Sequence, residues 1–123
     1  MTRIKPAPPS LALLIDGVVA KEFPLDKPEI TIGRRSDNDI RIDDIAVSGR
    51  HARILVRPNR YLEGTADVFI EDLDSTNGTK VNGTPIRHRR LAPGDLIQIG
   101  WNSFKLLDPT QTDLERTAYI LQE

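Results

Sequence analysis

Residues 11–23 read LALLIDGVVAKEF, two apolar runs separated by Asp16-Gly17. A type I′ turn needs positive φ at both of its central residues, and Asp-Gly is one of the pairs that adopt it readily. The stretch therefore predicts a β-hairpin whose strands are Leu11–Ile15 and Val18–Phe23.

Short runs of strand type recur along the rest of the chain, each bounded by turn residues. They lie at Glu29–Ile32, Asp39–Ile42, His51–Arg57, Val68–Leu73, Leu96–Gly100 and Ser103–Leu107. Apolar residues alternate within them, as Ala52, Ile54 and Val56 do, so each strand can bury one face. Many short strands separated by turns are typical of an all-β sandwich or barrel.

The composition fits one domain and excludes several kinds of chemistry. The chain has 123 residues and no cysteine, which removes disulfides, zinc–thiolate sites and cysteine nucleophiles. Its net charge of −1 argues against nucleic-acid binding through bulk positive charge. The longest apolar run, Leu11–Ile15, is too short for a membrane span or a secretory signal. The two histidines lack metal-ligand spacing, so we expect no bound metal. We also expect a cytoplasmic protein without a cofactor or membrane segment.

The two ends of the chain differ from its middle. Residues 1–10 contain three prolines and predict a flexible leader before a β-sandwich domain at 11–109. In the tail, Thr112–Glu115 fits a capping box, and Leu114, Ala118 and Leu121 share one helical face. Residues 110–123 therefore predict a short helix or the start of a linker.

Three polar clusters fall at predicted strand ends, where a rigid sandwich displays functional residues. They are Gly33-Arg34-Arg35, Ser48-Gly49-Arg50-His51, and Asp74–Thr79 followed by Asn82-Gly83. A phosphorylated side chain carries about −1.5 to −2 charge and three strong acceptor oxygens. Arg34 can meet such a group bidentately, while Ser48 offers a hydroxyl donor.

These clusters, in this order, resemble the forkhead-associated (FHA) domain, a module that binds phosphothreonine peptides. The resemblance covers about residues 30–107. It rests on TIGRRSDNDIRIDDIAVSGRHARI (31–54), IEDLDSTNGTKVNG (70–83) and LAPGDLIQIGWNSFKLL (91–107). The implied fold is a β-sandwich of two mostly antiparallel sheets with about 10–11 short strands.

The resemblance also implies roles for individual residues. Arg34 and Ser48 resemble the phosphate contacts, and Asn77, with Thr76 beside it, resembles the residue that holds the peptide main chain. The implied phosphopeptide-binding set is completed by Gly49 and Arg50. His51 resembles a histidine that braces the binding loops, and the other supporting residues are Gly33, Gly78, Asn82 and Gly83. The implied partners are a Thr-phosphorylated protein or peptide and a Ser/Thr kinase, with no catalytic residue.

One position departs from the family pattern. Many members carry a polar side chain, often Asn, directly after the motif serine, whereas this chain has Gly49. One side-chain contact to the peptide backbone is therefore missing. Arg50 could compensate by meeting the phosphate or an acidic residue of the partner.

Alternative functions remain open on the sequence alone. The same fold could serve phospho-independent assembly, or a phosphorylated tail (Thr110, Thr112 or Thr117) could bind the domain itself. Nucleic acid could bind Arg87–Arg90, but without interleaved aromatics we predict a solvated loop there. We expect Trp101 to be a half-buried residue that packs against the sandwich. We do not expect Ser48 and His51 to form a catalytic pair, because residues three apart on a strand point to opposite faces.

Overall fold

The computed structural model of the protein describes residues 8–62 and 64–109. These residues form eleven β-strands: β1 Ser10–Ile15, β2 Val18–Pro24, β3 Glu29–Gly33, β4 Ile40–Arg41, β5 Ala52–Pro58, β6 Ala66–Asp72, β7 Thr79–Val81, β8 Thr84–Ile86, β9 His88–Leu91, β10 Leu96–Ile99 and β11 Asn102–Leu107. The helix predicted for the tail and the first seven residues of the predicted leader lie outside the described residues.

The strands form two sheets that pack as a sandwich. One sheet has the order β2-β1-β11-β10-β7-β8, and the other has the order β4-β3-β5-β6-β9. Neighbouring strands are antiparallel except β3 and β4, which run parallel. The predicted sandwich of two mostly antiparallel sheets is thereby confirmed.

Alternate residues of the strands build the core between the two sheets. Ile54 and Ile70 lie opposite each other on β5 and β6, and both are fully buried. Ile97 and Phe104 form the corresponding pair on β10 and β11. Burying a large apolar side chain stabilises a fold by roughly 1.5–3 kcal/mol, so these pairs fix the strand register.

The predicted hairpin turn has the expected geometry. Asp16 and Gly17 have φ values of 53° and 78°, as a type I′ turn requires. Asn82 and Gly83 repeat this pattern at 50° and 82°. The Asn82 side chain also accepts a hydrogen bond from the Leu96 N–H at 2.9 Å, which joins this turn to β10.

The prediction of a loop at Arg87–Arg90 was wrong, because most of this run is strand β9. β9 pairs antiparallel with β6, and Arg90 forms an ion pair with Asp67 at 2.8 Å. The His88 ring stacks on Phe69 at a centroid distance of 5.7 Å. β9 is an edge strand, and three of its four side chains are polar, so its sequence lacks the apolar run that marks the eight predicted strands. The short strands β7 and β8, which flank the Asn82-Gly83 turn, were not predicted either.

The strand directions bring four connections to one end of the sandwich. β3 and β4 both end there, while β5 begins there, with Ala52 opposite both Ile32 and Asp72. In the other sheet, β10 ends and β11 begins at the residues that adjoin the start of β7. The β3–β4, β4–β5, β6–β7 and β10–β11 connections therefore meet at this end.

Candidate functional site

The first two polar clusters run side by side at this end. The Arg34 N–H donates to the Ser48 carbonyl at 3.0 Å, and the Arg35 N–H donates to the Gly49 carbonyl at 3.2 Å. A Cβ atom on Gly33 would lie only 2.2 Å from the Gly49 carbonyl oxygen. The close approach of the two loops therefore requires glycine at position 33.

Asn38 fastens these two loops together, and sequence reasoning missed it. Its Nδ2 donates to the carbonyls of Arg35 at 2.8 Å and Gly49 at 2.7 Å. The residue is buried, and among the described residues its Oδ1 has no hydrogen-bond partner. Asn38 positions the backbone of the β3–β4 loop, from which the Arg34 side chain projects.

His51 connects the second cluster to the third. The ring is fully buried, and its Nδ1 accepts a hydrogen bond from the Ser48 N–H at 3.1 Å. Nε2 lies 2.8 Å from the Gly78 carbonyl oxygen, to which it must donate. These two bonds fix the neutral tautomer with its proton on Nε2. Both ring nitrogens are therefore bonded to backbone groups, and the ring does not form the pair with the Ser48 hydroxyl that nucleophilic catalysis needs.

The third cluster contacts the β4–β5 connection, which carries the second cluster, through side chains. The Thr76 N–H donates to Ser48 Oγ at 3.0 Å, and Asn77 Nδ2 donates to the Ala46 carbonyl at 2.8 Å. Thr76 and Asn77 are both exposed. Within residues 8–62 and 64–109, the Thr76 hydroxyl and the Asn77 carbonyl oxygen have no partner. Both remain available to a ligand.

Asp72 anchors the β6–β7 loop, and the sequence analysis did not single it out. Its carboxylate accepts from the hydroxyls of Ser75 at 2.6 Å and Thr79 at 2.7 Å, and from the Ser75 N–H at 3.1 Å. Burial alone would raise the pKa of Asp72, but these hydrogen bonds outweigh it and hold the pKa below its usual value. The carboxylate is thus ionised at neutral pH.

Acid is expected to destabilise the protein partly through Asp72. An aspartate in the unfolded chain titrates near pH 3.9, and the folded carboxyl has a lower pKa. Below about pH 4 the unfolded state therefore binds more protons, and the free energy of unfolding falls as the pH falls through the folded pKa. The variant Asp72→Asn should be less stable at neutral pH and should lose less stability on acidification, as measured by urea denaturation at a series of pH values.

A matched control for this prediction lies in the same loop. Asp74 is exposed, and its φ of 53° is one that asparagine also adopts readily. Asp74→Asn should keep the wild-type free energy of unfolding at neutral pH. An Asp72→Asn protein with the wild-type dependence of unfolding free energy on pH would contradict the role given to Asp72.

The arginines at this end differ in what they contact. Arg35 and Arg50 both pair with the same Asp37 oxygen, at 3.3 Å and 3.0 Å. The exposed Arg34 guanidinium has no ion pair or hydrogen bond to any residue in the described ranges. Of these three arginines, Arg34 is therefore the one that can meet an incoming anion without first losing a partner.

The β10–β11 turn joins the site through Asp44. Its carboxylate accepts from the N–H groups of Trp101 at 3.0 Å and Ala46 at 2.8 Å, and from the Asn102 amide at 3.0 Å. These donors, the Trp101 N–H foremost, hold the pKa of Asp44 below its usual value. The prediction of a half-buried Trp101 was wrong, because its side chain is 88% exposed. The residue occupies a tight turn whose backbone is held while the indole points away from the core.

The assembled end can bind a phosphorylated extended chain. Arg34 supplies a cation that is unpaired among the described residues, Ser48 and Thr76 supply hydroxyls, and Asn77 supplies an amide that can pair with a peptide backbone. In the described ranges there is no group of three or more acidic or histidine side chains that could hold a metal ion. Nor do those ranges contain a helix long and apolar enough to span a membrane.

Comparisons with known proteins agree with this geometry. A family model described as the FHA domain matches residues 30–100. The glycogen accumulation regulator GarA of Mycolicibacterium smegmatis is 44% identical over 78 residues, which are 63% of this chain and 45% of that protein. The chain spans about half the length of the curated relatives it matches.

Solved structures also resemble the fold. The FhaA FHA domain, solved in complex with the intracellular domain of Rv3910, has a TM-score of 0.66 and 34% identity, covering 80% of this chain and 98% of that one. EmbR of Mycobacterium tuberculosis, solved with a low-affinity phosphopeptide, has a TM-score of 0.70 and 31% identity, covering 83% of this chain and 24% of that one.

Proposed function

Because the chain belongs to the FHA domain family, we propose that it is a phosphothreonine-dependent protein-interaction module without catalytic activity. The observation that carries the proposal is the Arg34 guanidinium, which has no partner in the described part of the chain and projects from a loop that is hydrogen-bonded to the loop of Ser48. A free cation beside a free hydroxyl donor suits a doubly charged phosphate.

Several hydrogen-bond donors of the protein can reach the phosphate in this arrangement. Arg34 provides a bidentate, charge-assisted contact. Ser48 Oγ accepts from the Thr76 N–H, so its own proton is free to point toward the phosphate. The N–H groups of Gly49 and Arg50 make no hydrogen bond within the described part of the chain and lie beside Ser48. Arg50 pairs with Asp37 in the free protein and can contribute only by leaving that partner.

Asn77 holds the main chain of the bound peptide. Its Nδ2 is already fixed by the Ala46 carbonyl, which orients the amide, and its Oδ1 can accept from a peptide N–H. Thr76 lies next to it and offers a second polar group. Contacts to the peptide backbone set its register without reading its sequence, so specificity must come from the phosphate and from neighbouring side chains.

The partner in this proposal is a protein phosphorylated on threonine by a Ser/Thr kinase in the same compartment, the cytoplasm. The FhaA domain is seen bound to the intracellular domain of another protein, and EmbR is seen bound to a phosphopeptide. These complexes support the proposal through similarity. An oriented peptide library tests the proposal. The immobilised protein should bind a pool of phosphothreonine peptides and should no longer bind the same pool after phosphatase treatment. Equal retention of both pools would favour phospho-independent assembly instead.

Restoring the side chain that Gly49 lacks is expected to raise affinity. A Cβ atom at Gly49 would lie 3.0 Å from Arg35 Cδ and 3.1 Å from Cγ, and a flexible exposed side chain can move by that much. Gly49→Asn should then add one hydrogen bond to the peptide backbone, worth about 1 kcal/mol or roughly fivefold in Kd. Calorimetric titration with a phosphothreonine peptide measures it.

Gly49→Ala is the matched control, because it adds the Cβ atom without a hydrogen-bonding group. Its affinity should equal that of the wild type. An asparagine variant that binds no better than this alanine variant would show that position 49 does not face the peptide backbone.

A further inference from the structure

A groove opens at the end of the sandwich opposite the proposed site. β3 and β6 begin at this end, and β5 and β11 end there, so the groove lies away from the loops that carry Arg34 and Ser48. Its volume is about 340 Å³, which is within the range of sites that take a ligand. The apolar side chains that line it include Pro9, Leu25, Pro28, Val56, Pro58 and Ala66.

Backbone hydrogen bonds hold the walls of this groove in place. The Leu25 N–H donates to the Pro9 carbonyl at 2.8 Å, and the Val56 N–H donates to the Pro28 carbonyl at 2.9 Å. The Leu25 side chain is 2% exposed and belongs to the core. A surface that is already shaped before it is covered loses little conformational entropy on contact.

The connection beside the groove exposes further apolar surface. Gly64 and Thr65 of the β5–β6 connection line the groove. The same connection carries Tyr61, which is 88% exposed, and Leu62, which is 53% exposed. Neighbouring apolar side chains in water mark a contact surface rather than an ordinary loop.

The chain leaves the sandwich from the wall of this groove. Asp108 lines the groove, and Pro109, the last residue that the structure describes, has a helical backbone. Aspartate is favoured as the N-cap of a helix, and proline is favoured at the first helical position. The residues that follow, 110–123, therefore start at the groove itself.

The sequence of residues 110–123 has the pattern that an apolar groove needs. Leu114, Ala118 and Leu121 are spaced i, i+4 and i+7, so a helix through them would present one apolar face. A helix of this length is marginal in water and needs a surface against which to pack. The leader, residues 1–7, also reaches the groove at Pro8 but has no such repeat.

The charge beside the groove also suits this segment. Arg57 is exposed, and its Nη1 donates to the carbonyls of Pro28 at 3.0 Å and Val56 at 3.1 Å. Among residues 8–62 and 64–109 this guanidinium has no carboxylate partner. A helix would place Glu115 at the border of the apolar face, where its carboxylate can complement Arg57.

We propose that residues 112–121 form a helix whose Leu114, Ala118 and Leu121 pack into this groove. The contact removes apolar surface of both the groove and the tail from water, and it thereby stabilises the domain. Because the tail is held at the far end of the sandwich, the loops of Arg34 and Ser48 stay open to a phosphopeptide. The tail is in this way a structural brace and not an inhibitor of peptide binding.

Disulfide capture in the full chain locates the tail. The chain has no cysteine, so each introduced pair is the sole pair of thiols. Ala66→Cys places one thiol in the groove, and Leu114→Cys, Ala118→Cys or Leu121→Cys places the other on the apolar face. A disulfide forms when the two Cα atoms come within about 7 Å, so we expect at least one of these three pairs to oxidise rapidly within a single chain. Non-reducing electrophoresis and mass spectrometry detect the product.

The matched control moves the first cysteine to the phosphopeptide end. Ile45 is 89% exposed in the β4–β5 connection, and Ile45→Cys should not form a rapid disulfide with any of the three tail cysteines. Disulfides that form between two chains alone would overturn the proposal in favour of a second copy. Disulfides that form as fast with Ile45→Cys as with Ala66→Cys would overturn it in favour of a tail without a fixed position.

Stability gives a second, independent measurement. Leu114→Asp should raise the equilibrium constant for unfolding about tenfold or more, because it removes one buried leucine from the contact. Tyr119→Asp is the matched control, since Tyr119 falls about 140° around a helix from Leu114 and faces away from the groove. Both variants should keep the wild-type affinity for a phosphothreonine peptide. Equal stability of the two variants in urea denaturation, or a loss of peptide affinity with Leu114→Asp alone, would contradict the proposal.

Discussion

Replacing Arg34 by alanine is expected to weaken phosphothreonine-peptide binding by about a hundredfold or more. The phosphate brings about two negative charges, and removing one partner from a hydrogen-bonded charge pair costs about 2–5 kcal/mol. Arg35 and Arg50 are poor substitutes because Asp37 already neutralises part of their charge. Calorimetric titration of wild-type and variant proteins with one peptide gives the ratio.

Two further variants sharpen this prediction. Arg34→Lys keeps the charge but loses the planar fork of donors, so its affinity should lie between those of the wild type and the alanine variant. Arg60→Ala removes an exposed arginine from the opposite end of the sandwich and should leave binding unchanged. If Arg34→Ala bound like the wild type, the phosphate site would have to be moved to the other arginines.

The replacement of His51 by alanine is expected to lower the free energy of unfolding by about 3–5 kcal/mol. The variant leaves the Ser48 N–H and the Gly78 carbonyl without their partner, at a cost of about 1–3 kcal/mol each, and adds a cavity. Because the same bonds hold the second and third clusters together, peptide affinity should fall as well. Urea denaturation followed by titration of the folded fraction measures both effects.

The second histidine provides the control. His88 is exposed on the edge strand β9, and its ring stacks on Phe69. His88→Ala should therefore cost well under about 1.5 kcal/mol, the upper range for such a ring pair, and should not alter peptide binding. Equal destabilisation by the two variants would contradict the bracing role of His51.

The fold could be predicted from the sequence wherever the alternation of apolar residues and the turn residues indicated the same strands. Asp16-Gly17 and Asn82-Gly83 demand positive φ in a two-residue turn, and the alternation of Ala52, Ile54 and Val56 marks a strand with one buried face. Both signals are local and therefore readable. β9 was missed because its Arg and His side chains hide an edge strand whose pairing with β6 is decided by tertiary structure.

For the candidate site, the sequence predicted which residues would carry the chemistry, a prediction that peptide binding by the variants tests, but it did not predict what holds those residues in place. Arg34, Ser48 and Asn77 were nameable from their order and residue types, and the structure brings their loops to one end. The hydrogen bond between Asp44 and Asn102 joins residues 58 positions apart, and no local sequence pattern predicts such a contact. Asn38 was missed for a related reason, because its role depends on a hydrogen bond to the Gly49 carbonyl, eleven residues away.

The exposure of Trp101 is the clearest case in which residue type misled. Tryptophan is usually well buried, so packing was the natural expectation. The left-handed Gly100 and the carboxylate of Asp44 instead turn the backbone so that the indole faces solvent. A tryptophan that is held in solvent against its usual preference for burial is a reason to look for a ligand.

The central claim is that this chain recognises phosphothreonine through Arg34, and matched peptides test it most directly. Isothermal titration compares three peptides of one sequence that carry phosphothreonine, phosphoserine or unmodified threonine. The phosphothreonine peptide should bind the wild-type protein most tightly, the phosphoserine peptide more weakly and the unmodified peptide not measurably. Arg34→Ala should bind the phosphothreonine peptide about a hundredfold or more weakly than the wild type does. Equal affinity of the wild-type protein for all three peptides would contradict the claim.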